Sequence, residues 1–114
     1  MSSQAGVIVA MDWGGSWART SVVNHAGELM WTTRVPTPQG TGSENMLRVG
    51  EEALLQAIRW CQSTPILGIG IAVAGPIDVE SGIFYTPPNL LELNGISLIE
   101  AWQDRLIYPI HIGN

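Results

Sequence analysis

The stretch Gly-Val-Ile-Val-Ala-Met-Asp-Trp-Gly-Gly-Ser, residues 6–16, decides the fold. Its first part, residues 6–11, is an apolar run rich in β-branched side chains, and such a run predicts a central strand covered on both faces. Asp12 follows the run at once, and Gly14 and Gly15 end it in a turn. The stretch therefore predicts a strand that carries a carboxylate and a turn without side chains to one edge of a sheet.

The rest of the chain predicts further strands and two helices. Two helix starts have the spacing of a capping box, Thr41 with Glu44 and Ser97 with Glu100. The order β-β-β-α-β-α-β predicts an α/β fold with a mixed five-stranded sheet and helices on its faces. After the first strand, the predicted elements are strands at 17–24 and 29–35, a helix at 43–62, a strand at 66–74, a small hairpin joining 77–79 to 83–85, a short helix after Ser97 and a strand at 108–112.

Composition restricts the chemistry. The chain has 114 residues, of which 46% are hydrophobic and 13% charged, as is typical of one globular domain. Cys61, His25 and His111 are too few for a zinc-ligand set. All five basic residues are arginines, so the chain offers no lysine for a P-loop or a Schiff base.

Charge and hydropathy restrict the partners and the location. The formal net charge of -5 has the wrong sign for gripping a nucleic-acid backbone, so no nucleic-acid partner is expected. The apolar run Val7–Met11 is too short for a signal sequence or a membrane span, so no membrane partner is expected either. The unpaired thiol of Cys61 agrees with a cytoplasmic location.

The turn after the first strand is the first candidate site. Gly14 and Gly15 would let backbone N–H groups approach a polyphosphate closely, and Ser16 would add a hydroxyl. Asp12 could hold a hydrated Mg²⁺ that bridges the phosphates. The alternative interpretation is that the glycines only build a tight hairpin and that Asp12 stabilises its turn.

A second strand predicts a similar ending. Residues 68–74 form another buried strand, which leads into Gly75 and then Asp78 at the same edge. The alternative is a strand end at which the Asp78 side chain binds nearby backbone. The coincidence of two strands that both end in acid-and-glycine turns favours a functional edge.

These residues resemble motifs of the ROK (repressor, open reading frame, kinase) sugar kinases, within the actin-like ATPase superfamily. The resemblance covers nearly the whole chain in order. Its four parts are 12–16, similar to the phosphate motif Asp-x-Gly-Gly-Thr; 69–78, similar to G-I-G-x-x-x-P-G-P-x-D; Pro-Asn-Leu at 88–90; and 108–114, similar to the strand that ends in Asn-Asp.

The resemblance implies an actin-like ATPase or ribonuclease H-like domain with ATP and Mg²⁺ as cofactors. Asp12 would organise Mg²⁺ with the phosphates, and Gly14, Gly15 and Ser16 would bind phosphate. Ser16 replaces the usual Thr and keeps the hydroxyl. Trp17 stands where the family often has a small or basic residue, so a phosphate contact of the family's kind is not expected from residue 17.

The resemblance also implies a sugar site and a missing half. Gly75, Asn89 and Asn114 would face the sugar, whereas Asp78 would orient the turn. Ala74 replaces the proline that precedes Gly75 in the family. The aspartate that acts as the base in the family comes directly after the residue equivalent to Asn114. Residues 1–114 are therefore expected to be the N-terminal domain of a glucokinase-like enzyme, inactive without its C-terminal domain.

Other interpretations stay open. A sugar-responsive ROK regulator would carry a helix-turn-helix domain before the phosphate motif, whereas about five residues precede the first strand here. A non-catalytic ligand-binding module and a homodimer that associates through an exposed face are further alternatives. Among single residues, Cys61 and His111 are expected to be structural, while Trp13 could be either a core residue or part of the phosphate turn.

Overall fold

Five strands form one sheet in the computed structural model, which describes residues 5–113. Their order is β3-β2-β1-β4-β5, with β1, β2 and β3 antiparallel and β1, β4 and β5 parallel. The predicted mixed five-stranded α/β fold is therefore confirmed. The elements are β1 Val7–Trp13, β2 Trp17–Val23, β3 Leu29–Pro36, α1 Ser43–Cys61, β4 Ile66–Val73, a 3₁₀ helix at Leu91–Leu93, α2 Leu98–Leu106 and β5 Ile110–Gly113.

The helices of the described residues cover one face of the sheet only. In β1, Val9 and Met11 are buried, whereas Ile8 and Asp12 on the opposite face are exposed. Both helices lie on the buried face. The prediction that the first strand is covered on both faces is therefore wrong for residues 5–113. An apolar run alone does not say which of its two faces is covered, because Ile8 and Ala10 are as apolar as their buried neighbours.

The two helix starts differ from each other. At α2 the Ser97 hydroxyl oxygen accepts the Glu100 N–H at 3.1 Å, which confirms this side-chain cap. At α1 the capping residue is Gly42, at φ 94°, a conformation that favours glycine. The Thr41 hydroxyl instead donates to the Pro38 carbonyl. The predicted capping box at Thr41 is therefore wrong, because the glycine turns the chain before the helix begins.

Two stacked tryptophans join the sheet to both helices. Trp13 at the end of β1 and Trp102 in α2 are each about 1% exposed, and their ring centroids are 5.8 Å apart with planes at 16°. Gly50 of α1 faces both rings, since a Cβ atom built there would lie 3.0 Å from Trp13 and 3.1 Å from Trp102. Residue 50 must be small for the three elements to meet at this distance. Trp13 therefore belongs to the core.

Neither helix within residues 5–113 combines the length and the apolar character that crossing a membrane would require.

We expect Gly50→Ala to destabilise the protein. Alanine gains about 1 kcal/mol in helix propensity, but overpacking a core costs about 1–3 kcal/mol, and here both neighbours are large, buried and stacked rings. The free energy of unfolding, measured by urea denaturation, should therefore fall. Gly70→Ala in β4 is the matched control, because nothing lies within 4 Å of its added Cβ. A Gly50→Ala variant as stable as the wild type would show that the tryptophan pair can move aside.

Candidate functional site

The carboxyl ends of β1 and β4 meet at one rim of the sheet. The two strands are parallel, with Trp13 opposite Val73, and the Ala74 N–H donates to the Trp13 carbonyl at 2.9 Å. The turn that starts at Gly14 and the turn that starts at Gly75 therefore begin side by side. This is the convergence that the two acid-and-glycine endings predict.

The turn at 14–16 is a short hairpin that is stabilised by hydrogen bonds within the turn and from Thr37. The Gly14 N–H donates to the Trp17 carbonyl at 2.9 Å and closes it. Thr37, just after β3, holds the other side: its hydroxyl donates to the Gly14 carbonyl at 2.7 Å and its N–H to the Ser16 carbonyl at 2.9 Å. Because the Gly14 N–H is occupied, backbone contacts to a phosphate from this turn would come from Gly15 and Ser16.

A cleft of about 370 Å³ opens beside this turn. Asp12 lies exposed on the uncovered sheet face, directly opposite Arg19 in the β1–β2 register. The cleft thus contains one carboxylate, one guanidinium and a turn whose glycines leave room for a ligand. Its lining residues are Asp12, Gly14, Gly15, Ser16, Trp17 and Arg19. Asp12 and Arg19 also line a larger groove of about 540 Å³ that extends to His111 on β5.

The donor set of this cleft fits Mg²⁺ bound together with phosphates. Mg²⁺ prefers oxygen ligands, keeps several waters and is commonly held by one or two carboxylates plus phosphate oxygens. Asp12 supplies an exposed carboxylate of this kind. Within residues 5–113 no cluster of three or more His, Cys, Asp or Glu side chains is placed to hold a metal ion on its own.

Sequence reasoning missed Arg19. It is separated from the glycine turn by two residues, and only the antiparallel pairing of β2 with β1 brings it opposite Asp12. Trp17 is 43% exposed and lies under the guanidinium of Arg34, with the Arg34 Cζ 4.0 Å from the ring centroid. Such a cation–π contact holds the indole at the mouth of the cleft.

The loop that contains Asn89 packs directly against the glycine turn. A Cβ atom built on Gly15 would lie 3.0 Å from the Asn89 Cβ and 3.1 Å from the Asn89 carbonyl oxygen. The two loops can approach this closely only because residue 15 has no side chain. Gln39 joins them, since its Nε2 donates to the Gly15 carbonyl at 3.0 Å and to the Asn89 carbonyl at 2.6 Å. Asn89 itself is exposed.

Asp78 is committed to its own turn. Its carboxylate accepts the Ser81 hydroxyl and the Ser81 N–H, the latter at 3.0 Å. These hydrogen bonds, the hydroxyl first, lower the pKa of the Asp78 carboxyl below its ordinary value. Asp78 thus orients the turn, in agreement with expectation. Gly75 lies at the rim, whereas Asn114 lies outside the described residues, directly after Gly113 of β5.

Of three further residues considered in the sequence, two lie in the core and one is exposed. Cys61 is buried at the end of α1, and burial raises the pKa of its thiol, as for a core residue. Trp13 is a core residue and does not line the cleft. His111 is exposed on the uncovered face rather than enclosed.

The model of the ROK family matches residues 8–114. The chain belongs to the ROK family. Over the full length of this chain, its sequence is 29% identical to the xylose repressor of Caldicellulosiruptor bescii, and the match covers 29% of that repressor.

Solved ROK structures share the fold. The ROK glucokinase of Streptomyces griseus, in complex with glucose and AMPPNP, superimposes with a TM-score of 0.81 over 96% of this chain and 33% of that one, at 23% identity. A ROK family transcriptional regulator homologous to the E. coli MLC protein gives 0.83 over 96% of this chain and 28% of that one, at 15% identity. The 114-residue chain thus spans about a third of the length of each of these relatives.

The Asp78 turn predicts a pH dependence. Because the folded pKa is lowered, the contribution of Asp78 to stability is present above the unfolded pKa of about 3.9 and is lost as the pH falls through the lower folded value. Asp78→Asn should therefore lower the melting temperature at pH 7 and change it less in strong acid. Asp104→Asn, an exposed carboxyl on α2, is the control. Equal effects of Asp78→Asn at both pH values would contradict this account.

Proposed function

We propose that residues 1–114 are the N-terminal domain of an ATP-dependent sugar kinase, which transfers the γ-phosphoryl group of ATP to a sugar hydroxyl. The observation that carries the proposal is the cleft at the end of β1, where Asp12 lies beside the Gly14–Ser16 turn. Phosphoryl transfer depends on positioning and on neutralising phosphate charge, and this cleft has groups for both.

Each residue of the cleft has a distinct task in this proposal. Asp12 would hold Mg²⁺, which when bound would neutralise charge on the phosphate oxygens. Gly15 and Ser16 would offer backbone N–H groups, and Ser16 also its exposed hydroxyl. Arg19, opposite Asp12, would add a fixed positive charge.

The sugar would lie next to this cleft. Asn89 is in contact with Gly15, and the Gly75 turn starts beside the Gly14 turn, so both loops border the same rim. Asn114 belongs to the same proposal through the family motif. A general base for the sugar hydroxyl would come from a residue outside residues 1–114.

A sugar-responsive transcriptional regulator is the second candidate. The similarity to the C. bescii xylose repressor and to the MLC-like regulator supports it. A sensor that binds only sugar has no need of a carboxylate for Mg²⁺ beside a phosphate-binding turn. The acid, the glycines and the hydroxyl of this cleft therefore favour the kinase. A cytoplasmic location, the absence of nucleic-acid and membrane partners, and a homodimer remain predictions.

The Asp12 carboxylate provides the test. We expect the 114-residue chain to bind Mg²⁺–tripolyphosphate, with amide shifts at Gly15 and Ser16 in nuclear magnetic resonance spectra. Asp12→Asn should weaken this binding by about tenfold or more, since the metal loses its charged ligand. Asp104→Asn, which removes the same charge from α2, should have little effect. Sugar binding without Mg²⁺–tripolyphosphate binding would favour the regulator, and equal binding by Asp12→Asn would remove Asp12 from the site.

A further inference from the structure

One side-chain amide connects the two loops on which the proposed function rests. The Gln39 Nε2 lies 3.0 Å from the Gly15 carbonyl oxygen and 2.6 Å from the Asn89 carbonyl oxygen. Both partners are acceptors, so the donating NH₂ end of the amide must face them. The two protons of this group satisfy two carbonyls from loops that are 74 positions apart in sequence, residues 15 and 89.

Gln39 is delivered by a segment that is itself fixed at both ends. We name residues 37–42 the strap. At its start, Thr37 binds the carbonyls of Gly14 and Ser16. At its end, the carboxylate of Glu92, in the 3₁₀ helix that follows the Asn89 loop, accepts the N–H groups of Gly40 and Gly42. The strap therefore holds Gln39 between the phosphate turn and the Asn89 loop.

This donor bridges the two loops where they approach each other closely. A Cβ atom built on Gly15 would lie 3.6 Å from the Asn89 Cα, and the carbonyls of both residues accept from the same nitrogen atom. Without the amide, these solvent-accessible carbonyls would accept hydrogen bonds from water, and the side-chain bridge between the two loops would be lost. The phosphate turn would still be held by Thr37, whereas Asn89 would lose its connection to that turn.

We propose that Gln39 is a positioning residue that fixes the distance between the sugar-facing Asn89 loop and the phosphate turn. The inference rests on the proposed function for the identity of the two ligands. It assigns Gln39 no contact with either of them. Its effect would come through geometry, because a misplacement of about 1 Å between reacting groups can cost about 10²-fold in rate.

We call the two hydrogen bonds from the Gln39 amide to the Gly15 and Asn89 carbonyls the clamp, and Gln39→Met tests it directly. Methionine has a similar length and no charge but cannot donate a hydrogen bond. In the wild-type chain we expect a nuclear Overhauser effect between Gly15 Hα and Asn89 Hβ, and in Gln39→Met its intensity should fall by about threefold or more. Gln56→Met, an exposed glutamine on α1, should leave it unchanged. An undiminished signal in Gln39→Met would overturn the clamp.

Ligand binding tests the positioning role. Titrations of the 114-residue chain use Mg²⁺–tripolyphosphate as the probe for the Gly14–Ser16 turn, and glucose and xylose as the probes for the Asn89 loop. In Gln39→Met, sugar affinity should fall by about tenfold, while tripolyphosphate affinity should stay within about threefold because Thr37 still holds the turn.

The outcomes separate the two proposals. An equal loss of both affinities together with a lower melting temperature would indicate a general structural role and overturn the positioning role. Unchanged affinities in Gln39→Met, with a wild type that binds, would overturn the inference and leave the proposed function intact. A wild type that binds none of the probes would overturn the proposed function and the ligand role of Gln39 together, whereas the Overhauser signal would still decide on the clamp.

Discussion

The parallel pairing of β1 with β4 is the constraint on which the site depends. The register that places Trp13 opposite Val73 makes both strands end at the same level, so that two turns from distant parts of the sequence emerge side by side. The buried Trp13 ring fixes this level further, because it is stacked on Trp102 and enclosed by α1 at Gly50. Asp12 precedes this anchor by one residue and faces the opposite side of the sheet. A rigid core residue thus determines the position of an exposed carboxylate.

Loops from other parts of the chain hold the turn after β1 in place. The turn after β1 is too short to form a site alone, and it is held by backbone carbonyl contacts from Thr37 and Gln39. The same strap is fixed by Glu92 near the Asn89 loop. Three segments that are separated in sequence are therefore held at one rim, mostly by hydrogen bonds that join a side chain of one segment to a backbone group of another. This arrangement keeps the side chains of Ser16 and Asn89 exposed and available to ligands.

The sequence predicted the parts of this structure that depend on local periodicity. The β-rich run after Gly6, the helix at 43–62 and the turns after β1 and β4 follow from residue spacing and from glycine, and all are present. The expectation that β1 is covered on both faces is wrong, because Ile8 on its exposed face is as apolar as Val9 on its buried face and the run has no alternation that would mark the exposed side. Arg19 and Gln39 carried no local signal. Each gains its role only from strand register or from a carbonyl that folding brings to it.

The stacked indoles of Trp13 and Trp102 also give the folded protein a spectroscopic signal of its packing. Rings held in one fixed, asymmetric arrangement give near-ultraviolet circular dichroism, which disappears when specific packing is lost even if helices and strands persist. This pair lies where β1, α1 and α2 meet, and the stacked rings of Trp31 and Trp60, 6.1 Å apart, add a second signal of the same kind. The chain therefore contains an intrinsic spectroscopic probe that distinguishes a natively packed core from a merely collapsed chain.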